Sequence, residues 1–194
     1  MVSLKLQDRI IVDWTPEGSS VLDLGCGDGD LLSLLVAEKK VRAQGIEIDP
    51  AALRNCVAKG LNVFQEDIDD GLSVFPDKSF DEVILNESMQ VVRRPDFVLK
   101  EATRVGKRAI VAFPNFAHYS SRRQIFFGRV PVTPSLPFEW YNTPNLHFLS
   151  TSDFEEYCDG RGFKIENSAF TSGDSRITFL RNLRAEVGIF EISA

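Results

Sequence analysis

Short apolar segments alternate with amphipathic segments along the first half of the chain, and this alternation constrains the fold more than any other feature. SSVLDL (19–24) and FDEVILNE (80–87) are typical of buried strands, whereas DLLSLLVAEKK (30–40) and RPDFVLKEATRVG (94–106) are typical of helices. Strands that alternate with helices of this length form a parallel sheet covered on both faces. We therefore predict an α/β fold, a doubly wound, Rossmann-like sheet with helices on both faces.

The segments around these four extend the same pattern. Leu6, Ile10 and Trp14 recur every four residues and predict an amphipathic helix before the first strand. Asp49 stands where a helix N-cap is expected, directly before a proline in the first helical turn. We expect further strands at VRAQGIEI, LNVFQED and KRAIVAF and a further helix at DPAALRNCVAKG.

The pattern breaks between Phe113 and Ser150, where proline, arginine and aromatic residues follow no sustained period. Large apolar side chains argue against a disordered linker, so we expect a structured insertion at about 114–150. A helix is predicted after it at TSDFEEYCDGRG, with Ser152 and Glu155 at capping-box spacing. FKIENSAF (163–170) and SRITFLRNLR (175–184), joined by a TSGD turn, predict two antiparallel strands. A chain of this length suits one domain, residues 1–194.

The turn after the first strand, LDLGCGDGDLL (22–32), has glycine at three alternate positions. In a doubly wound sheet such a turn lies at the carboxyl ends of the central strands, where nucleotide-like ligands bind. Asp30 occupies the sixth position, where the dinucleotide fingerprint requires glycine. Asp23, Asp28 and Asp30 would also repel a pyrophosphate, since like charges about 4 Å apart cost roughly 4 kcal/mol at an effective dielectric of 20. The turn therefore favours S-adenosylmethionine, a cationic adenosine without phosphate, over a dinucleotide such as NAD.

Acidic residues also follow the next two strands. Glu47 lies 22 positions after Gly25, about the distance at which a carboxylate meets both ribose hydroxyls. Asp67 can accept a hydrogen bond from the adenine amino group, with Ile48 and Ile68 as apolar covers of the ring. Glycines and acids at such turns often serve only as turn formers and helix caps. Their combination on three successive strand ends favours the cofactor.

Between about Ser19 and Leu183 the chain resembles the class I S-adenosylmethionine-dependent methyltransferases, through VLDLGCGDGDLL, GIEIDPAAL and FDEVILNE followed by RPDFVLKEATRV. The resemblance implies a seven-stranded, mostly parallel sheet with an antiparallel final strand. It also implies cofactor contacts at Asp23, Gly25, Cys26, Gly27, Glu47, Ile48, Asp67, Ile68 and Asn86.

The insertion carries a more specific resemblance. Its motifs FPNF, GRVPVTPSLP and WYNTPN, in this order and followed by a histidine, are similar to the long signature of the MetW family of methionine biosynthesis. This likeness covers nearly the whole chain. It implies a role in methionine synthesis alongside homoserine O-acyltransferase, which acylates the homoserine hydroxyl. Catalytic transfer of a methyl group to a small molecule is the alternative.

The sequence leaves the catalytic residues and the role of the insertion open. Asn86, His118 and Tyr119 are candidates for methyl transfer, although buried histidines bonded to the backbone are at least as common as catalytic ones. The arginines of the insertion can hold a substrate carboxylate or be solvated charges. Arginine mixed with aromatic residues is also enriched at protein interfaces. A partner or substrate surface is therefore expected at Arg122, Arg123, Arg129, Trp140, Tyr141 and His147.

Charge and cysteine content narrow the partners and the compartment. The formal net charge of −6 gives no general attraction to nucleic acid or to anionic membranes. Three widely separated cysteines without a nearby histidine pair predict reduced thiols and no metal site. No apolar run approaches membrane-spanning length. We expect a cytoplasmic protein that binds neither nucleic acid nor a membrane.

Overall fold

One sheet of eight strands organises residues 5–194, the part of the chain that the computed structural model describes. In chain order the strands are β1 (Ser20–Leu24), β2 (Arg42–Ile46), β3 (Val63–Phe64), β4 (Phe80–Asn86), β5 (Gly106–Pro114), β6 (Lys164–Ser172), β7 (Ser175–Arg176) and β8 (Val187–Ser193). Across the sheet their order is β3-β2-β1-β4-β5-β8-β6-β7. Neighbours among β1–β5 are parallel, and β8 is antiparallel to β5 and β6. The predicted doubly wound sheet with an antiparallel final strand is confirmed, and the strand beyond the expected seven is the two-residue β7.

Helices cover both faces of this sheet. They are α1 (Leu6–Trp14), α2 (Asp30–Lys39), α3 (Pro50–Ala58), α4 (Pro95–Val105), α5 (Tyr119–Phe126), α6 (Thr151–Arg161) and α7 (Arg181–Arg184). One apolar core contains Ile10 of α1, Leu35 of α2 and Ile84 of β4. A second, larger one contains Leu99 of α4 and Phe154 of α6. Among the helices of residues 5–194, none combines the length and the apolar character that crossing a membrane requires.

The C-terminal elements differ from the prediction. Strands β6 and β7 pair as a hairpin, but the strand predicted at 175–184 ends after Arg176. Leu180 adopts a left-handed backbone conformation (φ 50°), which interrupts extended structure directly before α7. The last long strand is β8, and its residues 187–192 are all buried. Because β8 lies between β5 and β6, both of its faces are covered, and its nearly continuous apolar sequence suits that position better than SRITFLRNLR does.

The two predicted helix caps have different outcomes. Asp49 caps α3 as predicted, because its side chain accepts a hydrogen bond from the amide three residues later at 3.0 Å. The predicted capping box of α6 at Ser152 and Glu155 is wrong. The Ser150 hydroxyl accepts from the Asp153 amide, and the Asp153 carboxylate accepts from the Ser150 amide. The capping box is therefore formed by Ser150 and Asp153, two residues earlier than predicted, because the backbone changes from extended to helical after Ser150.

Residues 115–150, which we call the insertion segment, connect β5 to α6. The segment contains α5, followed by turns and irregular backbone. Its far end is attached to the loop after β4, because the amides of Leu146 and His147 donate to the Gln90 carbonyl at 2.8 and 3.1 Å. The insertion segment therefore reaches the edge of the sheet at which β4 ends. The assignment of residues 1–194 to one domain stays a prediction.

Candidate functional site

A cleft of about 550 Å³ lies at the carboxyl ends of β1, β2 and β4. Five of the residues predicted to contact a cofactor line it, namely Gly25, Glu47, Ile48, Asp67 and Ile68. The remaining lining residues come mainly from the loops after β3 and β4, with Leu146 from the insertion segment. This is the place where a doubly wound sheet is expected to bind a ligand.

The glycine turn borders this cleft and is held against β2. The amides of Gly25 and Cys26 both donate to the Ile46 carbonyl, at 2.8 and 3.1 Å. Gly25 and Gly27 have left-handed backbones, with φ of 75° and 54°. A β-carbon at Gly25 would lie 3.0 Å from the β-carbon of Ser88, whereas one at Gly27 would meet no atom of residues 5–194 within 4 Å. The turn therefore requires glycine for its conformation and leaves bare backbone at Gly27.

Glu47 fixes the turn through its carboxylate. One oxygen accepts from the Gly27 amide and the other from the Asp49 amide, each at 2.8 Å. The residue is only 8% exposed. Each carboxylate oxygen can accept a second hydrogen bond, so the group can cap this turn and still bind a diol. The capping interpretation and the ribose interpretation of Glu47 are thus compatible.

Asp23, at the end of β1, is the unusual group of the site. It is 2% exposed, and its Oδ1 has no hydrogen-bond partner among residues 5–194. Burial, with a smaller contribution from the negative charges of Glu47 and Asp8, raises the pKa of Asp23 to about 7. Buried polar atoms are nearly always paired, and an unpaired one at a cleft is typical of a binding site. The site therefore suits a cationic or hydrogen-bond-donating ligand.

Replacing Asp23 with asparagine is expected to stabilise the ligand-free protein at pH 8. The native pKa of about 7 lies above the ordinary value of 3.8. Between these pH values Asp23 ionises in the unfolded chain but keeps its proton in the folded chain, so the free energy of unfolding falls as the pH rises. Asparagine does not ionise, and the gain at pH 8 is on the order of 2–4 kcal/mol. Thermal unfolding should show a midpoint several degrees higher at pH 8, with a clearly smaller gain at pH 5. An equal or lower midpoint at pH 8 would contradict this assignment, and Asp159→Asn, an exposed change on α6, is the control.

The other acids of the glycine turn do not face the cleft. The Asp28 carboxylate accepts from the Asn55 amide group at 2.8 Å, and Asp30 forms an ion pair with Lys59. Both acids are exposed, and neither lines the cleft. The predicted repulsion of phosphate by these two side chains is therefore weaker than the sequence indicates. Asp23 and the acids that line the cleft supply the negative charge instead.

Both carboxylate oxygens of Asp67 already have hydrogen-bond partners within the protein. Its Oδ1 accepts from the Asp69 amide at 2.9 Å, and its Oδ2 lies 2.6 Å from the Arg93 guanidinium. An adenine amino group would use the lone pairs that these contacts leave free. Ile48 is 59% exposed although it lines the cleft, and Ile68 is half-buried. These two side chains can cover an aromatic ring.

Helix α1 contributes residues that the sequence did not identify. The Gln7 amide group donates to Asn86 Oδ1 at 3.1 Å and to Glu87 Oε1 at 3.0 Å. Asn86 in turn donates to Asp8 Oδ1 at 3.1 Å, and Lys5 pairs with Glu87 at 2.9 Å. These contacts join residues about 80 positions apart, so no local pattern could have predicted them. The one visible signal was the run of polar residues at the start of α1.

The three cysteines are free and buried. Cys26 lies beneath the glycine turn, with its sulfur 4.0 Å from that of Cys56 on α3. Burial raises the pKa of both thiols, so they remain protonated at neutral pH. The Cys56 thiol also donates to the Gly27 carbonyl at 3.1 Å. These two cysteines support the turn by packing, and a cofactor contact at Cys26 stays a prediction.

His118 and Tyr119 lie away from the cleft. The His118 ring is buried, its Nδ1 lies 2.7 Å from the Ser120 hydroxyl, and its centroid lies 4.3 Å from that of Tyr119. Burial lowers the pKa of His118, which favours a neutral imidazole. Neither residue lines the cleft. Asn86, the third catalytic candidate, is held beside the cleft by α1.

The predicted partner surface lies on the insertion segment and is strongly exposed. Phe126, Trp140 and Tyr141 are 84, 71 and 69% exposed. Three arginines accompany one acidic residue, Glu139, in residues 115–150, so this segment is positive in a chain of net charge −6. Aromatic and arginine side chains exposed together are typical of interfaces. The predicted residues that are exposed are Arg122, Arg123, Arg129, Trp140 and Tyr141, whereas His147 is half-buried beside Gln90. Phe126 and Phe127, which the prediction did not include, are exposed as well.

Comparison with known families and curated proteins gives a consistent match. The model of the family described as methionine biosynthesis protein MetW matches residues 6–192. The bifunctional methionine biosynthesis protein MetXA/MetW of Rhodopirellula baltica is 34% identical over 183 residues, which cover 89% of this chain and 29% of that protein. The chain thus spans less than a third of the length of this relative.

Solved structures with the same fold include S-adenosylmethionine-dependent methyltransferases, all at low sequence identity. One from Archaeoglobus fulgidus has a TM-score of 0.72 and 17% identity, covering 97% of this chain and 91% of its own. One from Mesorhizobium loti has a TM-score of 0.71 and 15% identity, covering 97% and 96%. A putative methyltransferase of Haloferax volcanii, in complex with the Trm112 methyltransferase activator, has a TM-score of 0.71 and 19% identity, covering 97% and 89%. These likenesses establish the fold.

Proposed function

Because this chain belongs to the MetW family of methionine biosynthesis proteins, we propose that it binds S-adenosylmethionine in the cleft beside β1 and β2 and associates with homoserine O-acyltransferase. The observation that carries the cofactor half is the unpaired, buried Asp23 oxygen next to a glycine turn fixed by Glu47. A site with this charge suits a sulfonium and an ammonium group. It does not suit a pyrophosphate.

The residues present fit the parts of the cofactor. Glu47 has lone pairs free for the ribose hydroxyls, and Ile48 and Ile68 offer apolar surface to the adenine. Bare backbone at Gly27 leaves room for the methionine part, and Asp23 supplies negative charge. When bound, the sulfonium offers an electrophilic methyl group. The fold of the solved methyltransferases supports this assignment.

The partner half of the proposal rests on the exposed surface of the insertion segment. Trp140, Tyr141 and the arginines provide aromatic anchors and positive charge, which suit an acidic protein surface with apolar pockets. The name of the Rhodopirellula baltica relative joins MetXA and MetW in one bifunctional protein. Fusion keeps two domains at high effective concentration, and this supports an association between a MetW chain and an acyltransferase of the MetX kind.

Methyl transfer to a small molecule is a second candidate, favoured by one observation. Glu87 lies between the cofactor cleft and a second cavity of about 190 Å³, which Lys5, Gln7 and Glu186 also line. A small acceptor in this cavity would lie next to the cofactor. His118 and Tyr119 do not line it, so their catalytic role stays a prediction. The cytoplasmic location also stays a prediction.

Two binding measurements test the proposal. Titration calorimetry of the chain with S-adenosylmethionine and with NAD tests the cofactor half, because only the former lacks the phosphates that the cleft disfavours. Binding of purified homoserine O-acyltransferase to the chain tests the partner half, and transfer of a labelled methyl group to metabolites tests the alternative.

A further inference from the structure

A cavity of about 360 Å³, which we call the α4–α6 cavity, lies where the first turns of α4 and α6 meet the end of the insertion segment. It shares no lining residue with the cofactor cleft or with the cavity beside Glu87. Binding sites for small molecules have volumes of about 300–1,000 Å³ and mostly apolar walls. A cavity of this size therefore suits a small molecule with an apolar body. Its apolar walls are Met89, Pro95, Phe148, Leu149, Phe154 and Tyr157.

The polar groups of the α4–α6 cavity are mainly hydrogen-bond acceptors. The Nε2 atom of His147 is buried without a hydrogen-bond partner among residues 5–194, and a neutral imidazole protonated on Nδ1 accepts through this atom. The Asp153 carboxylate accepts from the Ser150 amide at 2.9 Å, which leaves lone pairs free. The Tyr157 hydroxyl donates to Asp96 at 3.0 Å, so this donor already has an acceptor. Such a lining fits a ligand that donates hydrogen bonds.

The two carboxylates of the cavity differ in their charge balance. Asp96 pairs with Lys100 and Arg161, at 2.9 and 3.1 Å. Asp153, which is exposed at the rim, forms no ion pair within residues 5–194. A carboxylate without a cation attracts positive charge, and the attraction is stronger where apolar walls exclude water. The rim of the cavity therefore favours a positively charged ligand group.

We propose that the α4–α6 cavity binds a small amphipathic amine. The aromatic or aliphatic body of the ligand packs against Leu149 and Phe154, and its ammonium group donates toward the acceptors His147 and Asp153. This site is separate from the cofactor cleft, and the inference does not depend on the proposed function.

Residues 146–149 border three cavities, of which the α4–α6 cavity is one. Leu146 lines the cofactor cleft, and the three residues after it line the α4–α6 cavity. Phe148 also lines a groove of about 270 Å³ beside Trp140. A ligand in the α4–α6 cavity would therefore contact the segment that joins the cofactor cleft to the exposed surface of the insertion segment.

NMR titration of the full chain with phenethylamine tests this site, with phenethyl alcohol and phenylacetate as the neutral and anionic analogues. The amine is expected to bind with a Kd of about 1 mM or tighter and to shift the ring signals of Phe154 and Tyr157. The alcohol is expected to bind about three- to tenfold more weakly, and phenylacetate more weakly still. The proposal would be overturned by the absence of a saturable shift up to about 10 mM, by shifts confined to the cofactor cleft, or by equal affinity for phenylacetate.

Two variants show whether these residues hold the amine. Asp153→Asn keeps an oxygen that can accept from the Ser150 amide but removes the charge, so it should weaken phenethylamine about three- to tenfold and leave phenethyl alcohol within about twofold. Leu149→Trp places a larger side chain in the cavity and should abolish binding of both, and circular dichroism shows whether it folds. Asp159→Asn, an exposed change on α6 with the same effect on net charge, should leave both affinities unchanged. Unchanged affinity for phenethylamine in Asp153→Asn, or in a folded Leu149→Trp, would overturn the assignment.

Discussion

Replacing Glu47 with alanine is expected to weaken S-adenosylmethionine binding by at least about a hundredfold. The carboxylate accepts from the Gly27 and Asp49 amides at 2.8 Å, and we propose that it also binds the ribose hydroxyls. Hydrogen bonds to a charged group contribute about 1.5–3 kcal/mol each, so the loss of two ribose contacts alone gives this factor. The turn also loses the group that fixes it. Calorimetry of wild type and variant measures the change, and circular dichroism shows whether the variant folds.

Two companion variants separate the ribose contact from a general effect of charge. Glu47→Gln keeps an acceptor oxygen and nearly the same shape, so it should bind the cofactor with intermediate affinity. Glu66→Ala removes a lining carboxylate that accepts no hydrogen bond in residues 5–194, and it should weaken binding only a few-fold. A folded Glu47→Ala variant with wild-type affinity would show that Glu47 only caps the turn.

Truncating Trp140 to alanine is expected to weaken association with homoserine O-acyltransferase by about thirtyfold or more. The side chain is 71% exposed and packs edge-on against Tyr141, so its large apolar surface is available to a partner. Aromatic residues at the centre of an interface typically contribute 2 kcal/mol or more. Sedimentation velocity or surface-based binding with the two purified proteins measures the effect. The arginines should add a salt-dependent contribution, since exposed charges act mainly over long range.

Controls for this surface are available on the same chain. Phe64, on the edge strand β3, is also exposed and is not part of the insertion segment, so Phe64→Ala should leave the association unchanged. Trp140→Ala should retain its affinity for S-adenosylmethionine, because Trp140 does not line the cleft. Unchanged association in Trp140→Ala, Tyr141→Ala and Arg123→Ala would place the partner surface elsewhere.

Local patterns predicted most of the fold. The strand–turn–helix unit around the glycine turn and the parallel alternation through β5 depend on residues close together in sequence, so period and composition identify them. The final strand was harder to predict, because the position of β8 is determined by its pairing with β5 and β6 and not by an adjacent turn. The apolar residues of SRITFLRNLR suggested a strand, but Leu180 begins a short helix instead.

The candidate site shows the same difference between features set by local sequence and contacts between distant residues. The spacing of Glu47 from Gly25 placed both at one cleft, because it reflects the geometry of a single strand–helix–strand unit. The contacts of α1 with Asn86 and Glu87 could not be predicted, since they join distant parts of the chain. Repulsion of a phosphate was predicted for Asp23, Asp28 and Asp30 alike. In the structure Asp23 is buried at the site, while Asp28 binds Asn55 of α3 and Asp30 binds Lys59, directly after α3.

Calorimetric titration of the unmodified chain with S-adenosylmethionine, set against NAD under the same conditions, tests the central claim most directly. The account predicts binding of S-adenosylmethionine at one site per chain and no measurable heat from NAD, because the acids around the cleft disfavour its phosphates. Absence of S-adenosylmethionine binding, or binding of NAD with equal or higher affinity, would contradict it.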